Sequence, residues 1–95
     1  MTVRVIIERE VKPGQEDKMN HLMMQARSRT VHCKGYMSGE TLRAVDNLSK
    51  FLTISNWKSV EDWNAWENHP DRAKLQAEMA PLLLSKEKCT VYTHY

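Results

Sequence analysis

Three tryptophans in one short stretch offer the most distinctive chemistry of this chain: Trp57, Trp63 and Trp66. Indole rings bury large apolar areas and can stack on a flat aromatic molecule, so this stretch could form the wall of a ligand cleft. Trp63 and Trp66 are three positions apart, and on a helix their side chains would point about 60° apart. Tryptophans on an inner face more often belong to the core. Both interpretations stay open at this point.

The other reactive residues predict neither a metal site nor a disulfide. Cys33 and Cys89 are too few and too far apart for a disulfide framework or a paired-cysteine site, which predicts reduced, structural thiols. His32 precedes Cys33, but adjacent residues rarely point at one ion, and no second pair at zinc spacing follows. No nucleophile–base pair or phosphate loop is present in the sequence. We therefore expect no bound metal and no cofactor.

Length and charge limit the class of protein and its partners. The 95 residues predict one domain spanning residues 1–95. The net charge is +2, and acidic residues separate the basic ones, so no clustered positive face for nucleic acid is expected. No segment approaches the roughly 20 apolar residues of a membrane span. Residues 1–11 alternate and carry charges where a leader peptide would be apolar. We expect a cytoplasmic protein that binds neither nucleic acid nor membrane.

Hydrophobic periodicity predicts the elements that would position the tryptophans. The predicted strands cover residues 2–12, 36–45, 50–57 and 88–94. The predicted helices cover residues 15–32 and 60–68, and a further helical segment begins at Pro70. Ser59 and Asp62 have the spacing of a capping box, so the second helix would begin directly after the third strand. The order β-α-β-β-α-β predicts the ferredoxin-like α+β fold.

Side-chain patterns predict several local features of these elements. Gly35 stands where the cap that ends the first helix is expected, and Gly39 indicates a bulge or a close approach within the second strand. One face of that strand is expected to carry Tyr36, Ser38, Glu40 and Leu42. The apolar side of the last helical segment is expected to carry Ala73, Leu75 and Met79.

The second face of the predicted sheet suggests a partner for the chain. Both helical segments would cover one face, and the other face would keep apolar side chains without a cover. A domain of this size buries only about 60–65% of the surface of its unfolded chain, so additional burial would stabilise it. We therefore expect a homodimer formed through the sheet face.

Four stretches carry a resemblance to a known family: Gly35-Tyr36, the run Ser38–Leu42, the run Phe51–Ser59, and Asp62-Trp63 leading to Trp66. Together they resemble the antibiotic biosynthesis monooxygenase (ABM) domain family of the dimeric α+β-barrel superfamily, over essentially the whole chain. The resemblance implies homodimers in which two sheets form a barrel and each subunit has a pocket between sheet and helices. Members include cofactor-independent monooxygenases that oxidise polycyclic aromatic phenols, haem-degrading enzymes, and proteins with no known reaction.

The resemblance implies a chemistry that needs few groups. A flat phenol would lie on an aromatic surface, and its anion would give an electron to O₂ while water is excluded. The residues expected to bind this substrate are Trp57, Trp63, Trp66, Met23 and Tyr92. Asn56 or Asn64 could hydrogen-bond the substrate oxygen, and Tyr36, Tyr92 or His21 could assist with a proton. We expect Trp66 to border the cleft, because it aligns with the family's functional tryptophan, and Trp63 to contribute mostly packing.

Each polar candidate also has a plainer interpretation. Asn64 would face solvent on its helix, His21 would lie on the surface, and Tyr36 and Tyr92 would belong to the core or an interface. A non-catalytic homodimer that binds a small ligand, or only stabilises a partner, is therefore the alternative to an oxygenase acting on an aromatic or quinone-like substrate.

Haem binding is the second alternative that the resemblance raises. Haem-degrading relatives use an asparagine on the first strand, a tryptophan on the second helix and a histidine about ten residues later. Trp66 matches the tryptophan, but the asparagine position falls at or near Glu8 and the histidine position near Gln76. His69 precedes Pro70 and is not a simple replacement. We therefore expect no haem ligation by that route.

Overall fold

One four-stranded antiparallel sheet with helices on one face forms this protein, described over residues 1–95 by a computed structural model. The strands are β1 (Val3–Glu10), β2 (Tyr36–Arg43), β3 (Lys50–Trp57) and β4 (Lys88–Thr93). The helices are α1 (Glu16–Thr30), α2 (Val60–Glu67) and α3 (Pro70–Met79), followed by a short 3₁₀ helix (Ala80–Leu82). The sheet order is β2-β3-β1-β4, which confirms the predicted ferredoxin-like α+β fold. None of the helices combines the length and apolarity needed to cross a membrane.

Strand β1 lies inside the sheet and divides its residues strictly between two faces. Val3, Val5 and Ile7 are buried against the tryptophans of β3 and α2, and we call this side the inner face. Arg4 and Ile6 point to the opposite side, the open face, as period-two alternation requires. The inner-face pattern continues past Ile7, so the side chains of residues 9 and 11 are buried as well.

A β-bulge in β2 corrects the predicted faces of that strand. Tyr36 pairs with Trp57, whereas Ser38 pairs with Asn56, so Met37 is an extra residue between the two pairs. The bulge moves Tyr36 to the inner face, away from Ser38, Glu40 and Leu42. A Cβ atom added at Gly39 would lie 2.6 Å from Tyr36 Oη, which confirms the predicted close approach.

Helix α1 follows its predicted apolar stripe but ends differently. Met19, Leu22 and Met23 are buried, as the spacing of three and four predicts. The predicted cap at Gly35 is wrong, because α1 ends at Thr30 and further turns separate it from β2. Gly35 instead takes a φ of 83° immediately before β2, where a side chain would collide with the carboxyl group of Asp62.

The starts of α2 and α3 are both capped by side chains. The N–H of Asp62 donates to Ser59 Oγ over 3.2 Å, as predicted. The reciprocal half of the predicted capping box is not formed, because the Asp62 carboxyl group lies over Gly35. The N–H of Asp71 donates to His69 Nδ1 over 3.0 Å, and Pro70 opens α3 as predicted.

Helix α3 buries two of its three predicted apolar residues. Its buried residues are Arg72, Leu75 and Met79, which are spaced three and four apart, whereas Ala73 is exposed. An arginine therefore occupies the position on the buried stripe that the prediction gave to an alanine. The observed elements otherwise match the predicted ones, with ends that differ by one or two residues.

Candidate functional site

A cavity of about 70 Å³ lies between the inner face of the sheet and the three helices. Its aromatic lining consists of Tyr36, Trp57, Trp63 and Trp66. Its aliphatic lining includes Ile7, Met23, Ala26 and Met79. Its charged lining consists of Arg9, Arg27, Glu40 and Arg72. The cavity therefore combines aromatic walls with a small set of polar groups, as small-molecule sites do.

Three rings of the aromatic wall, those of Tyr36, Trp57 and Trp63, form a packed row. Tyr36 and Trp57 meet edge to face at 5.4 Å between ring centroids, and Trp57 meets Trp63 at 5.7 Å in the same manner. Trp66 stacks on His69 at 5.7 Å with an interplanar angle of 29°. The three tryptophans are all buried, so they form core and cavity wall at once.

Two arginines and one glutamate form a buried charged cluster beside this wall. Arg9 is 5% exposed, and its Nε donates to Glu87 Oε2 over 2.9 Å while its Nη1 donates to Thr53 Oγ1 over 3.1 Å. Arg72 is 6% exposed and approaches Glu87 Oε1 at 3.5 Å. Gln76 Nε2 donates to the same Oε1 atom over 2.6 Å. One carboxylate thus faces two guanidinium groups, which leaves one positive charge unbalanced.

Burial and charge act in opposite directions on these groups. Burial acts to raise the pKa of Glu87, but Arg9, the Gln76 amide and Arg72 outweigh it and hold that pKa below its usual value. Burial lowers the pKa of Arg9, and Glu87 opposes that effect. Arginine stays protonated in proteins, so both guanidinium groups carry their charge.

Two hydrogen-bond donors in this region have no partner. They are Trp63 Nε1 and Arg72 Nε, each on a buried residue that lines the cavity. The Arg72 guanidinium carbon lies 5.2 Å from the Trp63 ring centroid, so the two residues contact each other as a cation–π pair. Most buried polar atoms in folded proteins are hydrogen-bonded, so two neighbouring exceptions point to a functional site.

The Glu87 cluster predicts an acid-sensitive fold. The unfolded chain protonates Glu87 near the ordinary glutamate pKa of about 4.3, before the folded protein does. The contribution of Glu87 to the free energy of unfolding should therefore be fully present above that pKa. It should decrease as the pH falls from that value toward the lower pKa of the folded state. Urea unfolding from about pH 7 to about pH 3 measures this, with Glu87→Gln expected to flatten the dependence. Glu78→Gln, an exposed change on α3, is the control; equal slopes for both variants would contradict the assignment.

The structure brings five of the proposed site residues to the cavity. Trp57, Trp63, Trp66, Tyr36 and Met23 all line it. Trp63 is almost fully buried, and its indole nitrogen is one of the two unpartnered donors.

The other proposed residues lie elsewhere, and strand parity explains two of them. Asn56 is on the open face, where it accepts from Arg4 Nε over 3.1 Å and donates to Ser38 Oγ over 3.1 Å. Tyr92 pairs with Arg4, also on the open face, and is 52% exposed. Neither residue can reach the cavity, because adjacent strand residues point to opposite sides.

Two helical candidates face solvent, as their plainer interpretation states. Asn64 is exposed on α2, and its carbonyl accepts from the Asn68 side chain. His21 is exposed on α1 and pairs with Gln25.

Arg9, Arg72 and Thr53 are among the cavity residues that the sequence analysis missed. Two signals could have found the arginines. The alternation of Val3, Val5 and Ile7 continues directly to Arg9, which places a charge on the buried side. Arg72 precedes Leu75 by three positions and Met79 by seven, which places it on their stripe.

The residues present do not fit haem ligation of the kind found in haem-degrading relatives. Glu8 is exposed on the open face, and the Gln76 side chain donates a hydrogen bond to Glu87. His69 Nδ1 caps α3. No three His, Cys, Asp or Glu side chains form a group that could hold a metal ion. Both cysteines are free thiols, and burial raises the pKa of each.

The fold and cavity define a small ferredoxin-like α+β protein with an aromatic-walled cavity between sheet and helices. The family model for antibiotic biosynthesis monooxygenase matches residues 2–78, and the chain belongs to this family. This confirms the resemblance that the sequence carries.

Solved structures share the fold at low sequence identity. A conserved protein from Methanosarcina mazei Go1 superposes with a TM-score of 0.94 at 14% identity, over 100% of this chain and 94% of that one. Rv0793 from Mycobacterium tuberculosis superposes with a TM-score of 0.90 at 17% identity, over 100% of this chain and 96% of that one. SnoaB, a cofactor-independent oxygenase from Streptomyces nogalater, superposes with a TM-score of 0.88 at 13% identity, over 99% of this chain and 93% of that one. No curated protein matches the chain in sequence.

Proposed function

We propose that this protein is a cofactor-independent monooxygenase that oxidises a small aromatic phenol. The observation that carries the proposal is the cavity walled by Tyr36, Trp57, Trp63 and Trp66, which suits a flat ring. Family membership supports it, as does the shared fold of SnoaB, which is itself a cofactor-independent oxygenase. The proposal treats residues 1–95 as one domain and keeps the cytoplasmic location expected from the sequence.

The proposed reaction is balanced with O₂ as the only co-reactant. For 1-naphthol, one phenol and one O₂ give one 1,4-naphthoquinone and one water. The phenolate gives an electron to O₂, and the resulting radicals combine to form a C–O bond at the carbon opposite the oxygen. Loss of the proton on that carbon with cleavage of the O–O bond then gives the second carbonyl and hydroxide, which becomes water.

The lining residues supply positioning and a proton route for this reaction. Trp57, Trp63 and Trp66 would hold the ring and exclude water. Tyr36 is the lining residue whose hydroxyl can exchange a proton with the substrate. Asn56 and Asn64 take no part, because both lie outside the cavity.

Oxygen uptake with a small panel of naphthols that are unsubstituted at the carbon opposite the hydroxyl tests the activity. Uptake of one O₂ per phenol, with formation of the matching quinone, is the expected result. Tyr36→Phe should slow turnover with little loss of binding, because it keeps the ring and removes the hydroxyl. Wild-type uptake no faster than uncatalysed oxidation across the panel would refute the enzyme.

A non-catalytic ligand-binding homodimer is the second candidate function. The nearly complete burial of the tryptophans favours it, because buried aromatic side chains can serve packing without a catalytic role. The two candidates separate in one experiment, because a non-catalytic protein would bind a panel compound without consuming O₂.

The proposal includes a homodimer formed through the open face. That face carries uncovered apolar side chains on three strands: Ile6, Leu42 and Leu52. Sedimentation equilibrium at micromolar concentration should give twice the 11.1 kDa chain mass. Ile6→Lys combined with Leu52→Lys should shift the mass to the monomer, because charges would be buried at the interface. Leu84→Lys, an exposed position outside the sheet, is the control; a wild-type monomer would contradict the prediction.

A further inference from the structure

We propose that the cavity contains an anion subsite and that its ligand is an aromatic carboxylate, which for the proposed reaction also carries the phenolic hydroxyl. The ring would lie along the tryptophan wall, and the carboxylate would accept from Trp63 Nε1 and Arg72 Nε. This inference names the substrate class of the proposed function and rests on that function for the use of the cavity as a substrate site.

The charge balance of the cavity favours an anion. Arg9 and Arg72 both line it, and each carries a positive charge in a nearly dry environment. Glu87 balances only one of them. Of the remaining charged lining residues, Arg27 is exposed, and the Glu40 side chain lies on the open face of the sheet. Buried charges in folded proteins are normally paired, so a missing negative charge is expected at this position.

The unpartnered donors specify the kind of group that would complete the site. Indole and guanidinium nitrogens donate and do not accept, so only an acceptor can satisfy Trp63 Nε1 and Arg72 Nε. The contact between Trp63 and Arg72 places the two donors on neighbouring side chains. A carboxylate offers two acceptor oxygens, one for each donor, whereas a phenolate offers one oxygen.

A matched pair of ligands isolates the charge. Naphthalene-2-carboxylate and naphthalene-2-carboxamide share the ring and nearly the same shape, and only the first is an anion. Calorimetric titration of the wild type under nitrogen should give at least about tenfold tighter binding of the carboxylate, because charge-assisted hydrogen bonds are the stronger ones.

Four variants test the assignment of residues. Arg72→Gln should remove most of the preference for the carboxylate, and Trp63→Phe should reduce it while keeping a ring. Glu87→Gln should increase carboxylate affinity, because it removes the competing negative charge, and a gain of affinity is not a consequence of damaged folding. Arg29→Gln removes an exposed arginine on α1 and should change nothing.

Each outcome decides the inference. Equal affinity for both ligands in the wild type would overturn it, as would a folded Arg72→Gln protein with the wild-type preference. If Arg72→Gln does not fold, a loss of carboxylate affinity in Glu87→Gln overturns it and a gain supports it. Binding is measured without oxygen, so carboxylate preference without turnover would refute the monooxygenase and support the subsite.

Discussion

Replacing Trp63 with alanine is expected to lower the free energy of unfolding by about 3–5 kcal/mol. Trp63 is 2% exposed, packs edge to face on Trp57 and contacts Arg72. Its removal would leave a large cavity among residues that cannot collapse, because they belong to the sheet and to two helices. Equilibrium denaturation measures the loss, and Trp63→Phe, which retains most of the volume, should cost distinctly less.

Trp66→Ala should cost less stability than Trp63→Ala but should have the larger effect on ligand binding. Trp66 is 6% exposed, and one face of its ring lies against exposed His69, which can move into part of the gap. Thermal melting and oxygen uptake with the phenol panel, measured on both variants, compare the two effects. Equal stability losses without binding of any panel compound to the wild type would mean that the tryptophans are core alone.

Replacing Arg9 with methionine is expected to lower the free energy of unfolding by about 3 kcal/mol. The change removes the closest charged partner of Glu87 and leaves its carboxylate with the longer contact to Arg72 and with the Gln76 amide. The effect is placed at the low end for a broken buried pair because Arg72 still faces the carboxylate.

A second change tests the pairing of Glu87 with Arg72. Arg9→Met combined with Glu87→Gln should be less stable than Arg9→Met alone, because it leaves the buried Arg72 guanidinium without a carboxylate. Arg29→Met is the matched control, since its exposed ion pair with Asp71 should be worth at most about 1 kcal/mol. Chemical denaturation of the four proteins tests both statements, and a double variant at least as stable as Arg9→Met alone would contradict the argument.

The sequence predicted the fold well where local signals agreed with the global pattern. Strand β3 was predicted to the residue, because alternation continues to Trp57 and the Ser59 cap begins a helix immediately afterwards. The faces of β2 could not be predicted, because no local signal at Met37 marks an extra residue and one such residue exchanges the two faces.

The sequence predicted the apolar residues of the candidate site but not its charged residues. The tryptophans and Met23 were expected at a ligand surface, and the structure places them around the cavity. Arg9 and Arg72 were overlooked because arginine is almost never fully buried without a partner, and that partner, Glu87, lies in a segment without regular structure. Pairing of residues this far apart in the chain cannot be derived from periodicity.

The position of β1 in the sheet also affects how the chain must assemble. Val3 pairs with Trp57 on one side and with Thr93 on the other, so the first strand takes both of its neighbours from much later in the chain. Only β2 and β3 pair across a short connection. Most of the sheet therefore has high contact order, with a large loop-closure entropy to overcome before the ladders form. On a ribosome, the first strand would emerge with no strand to pair with until β3 had been synthesised.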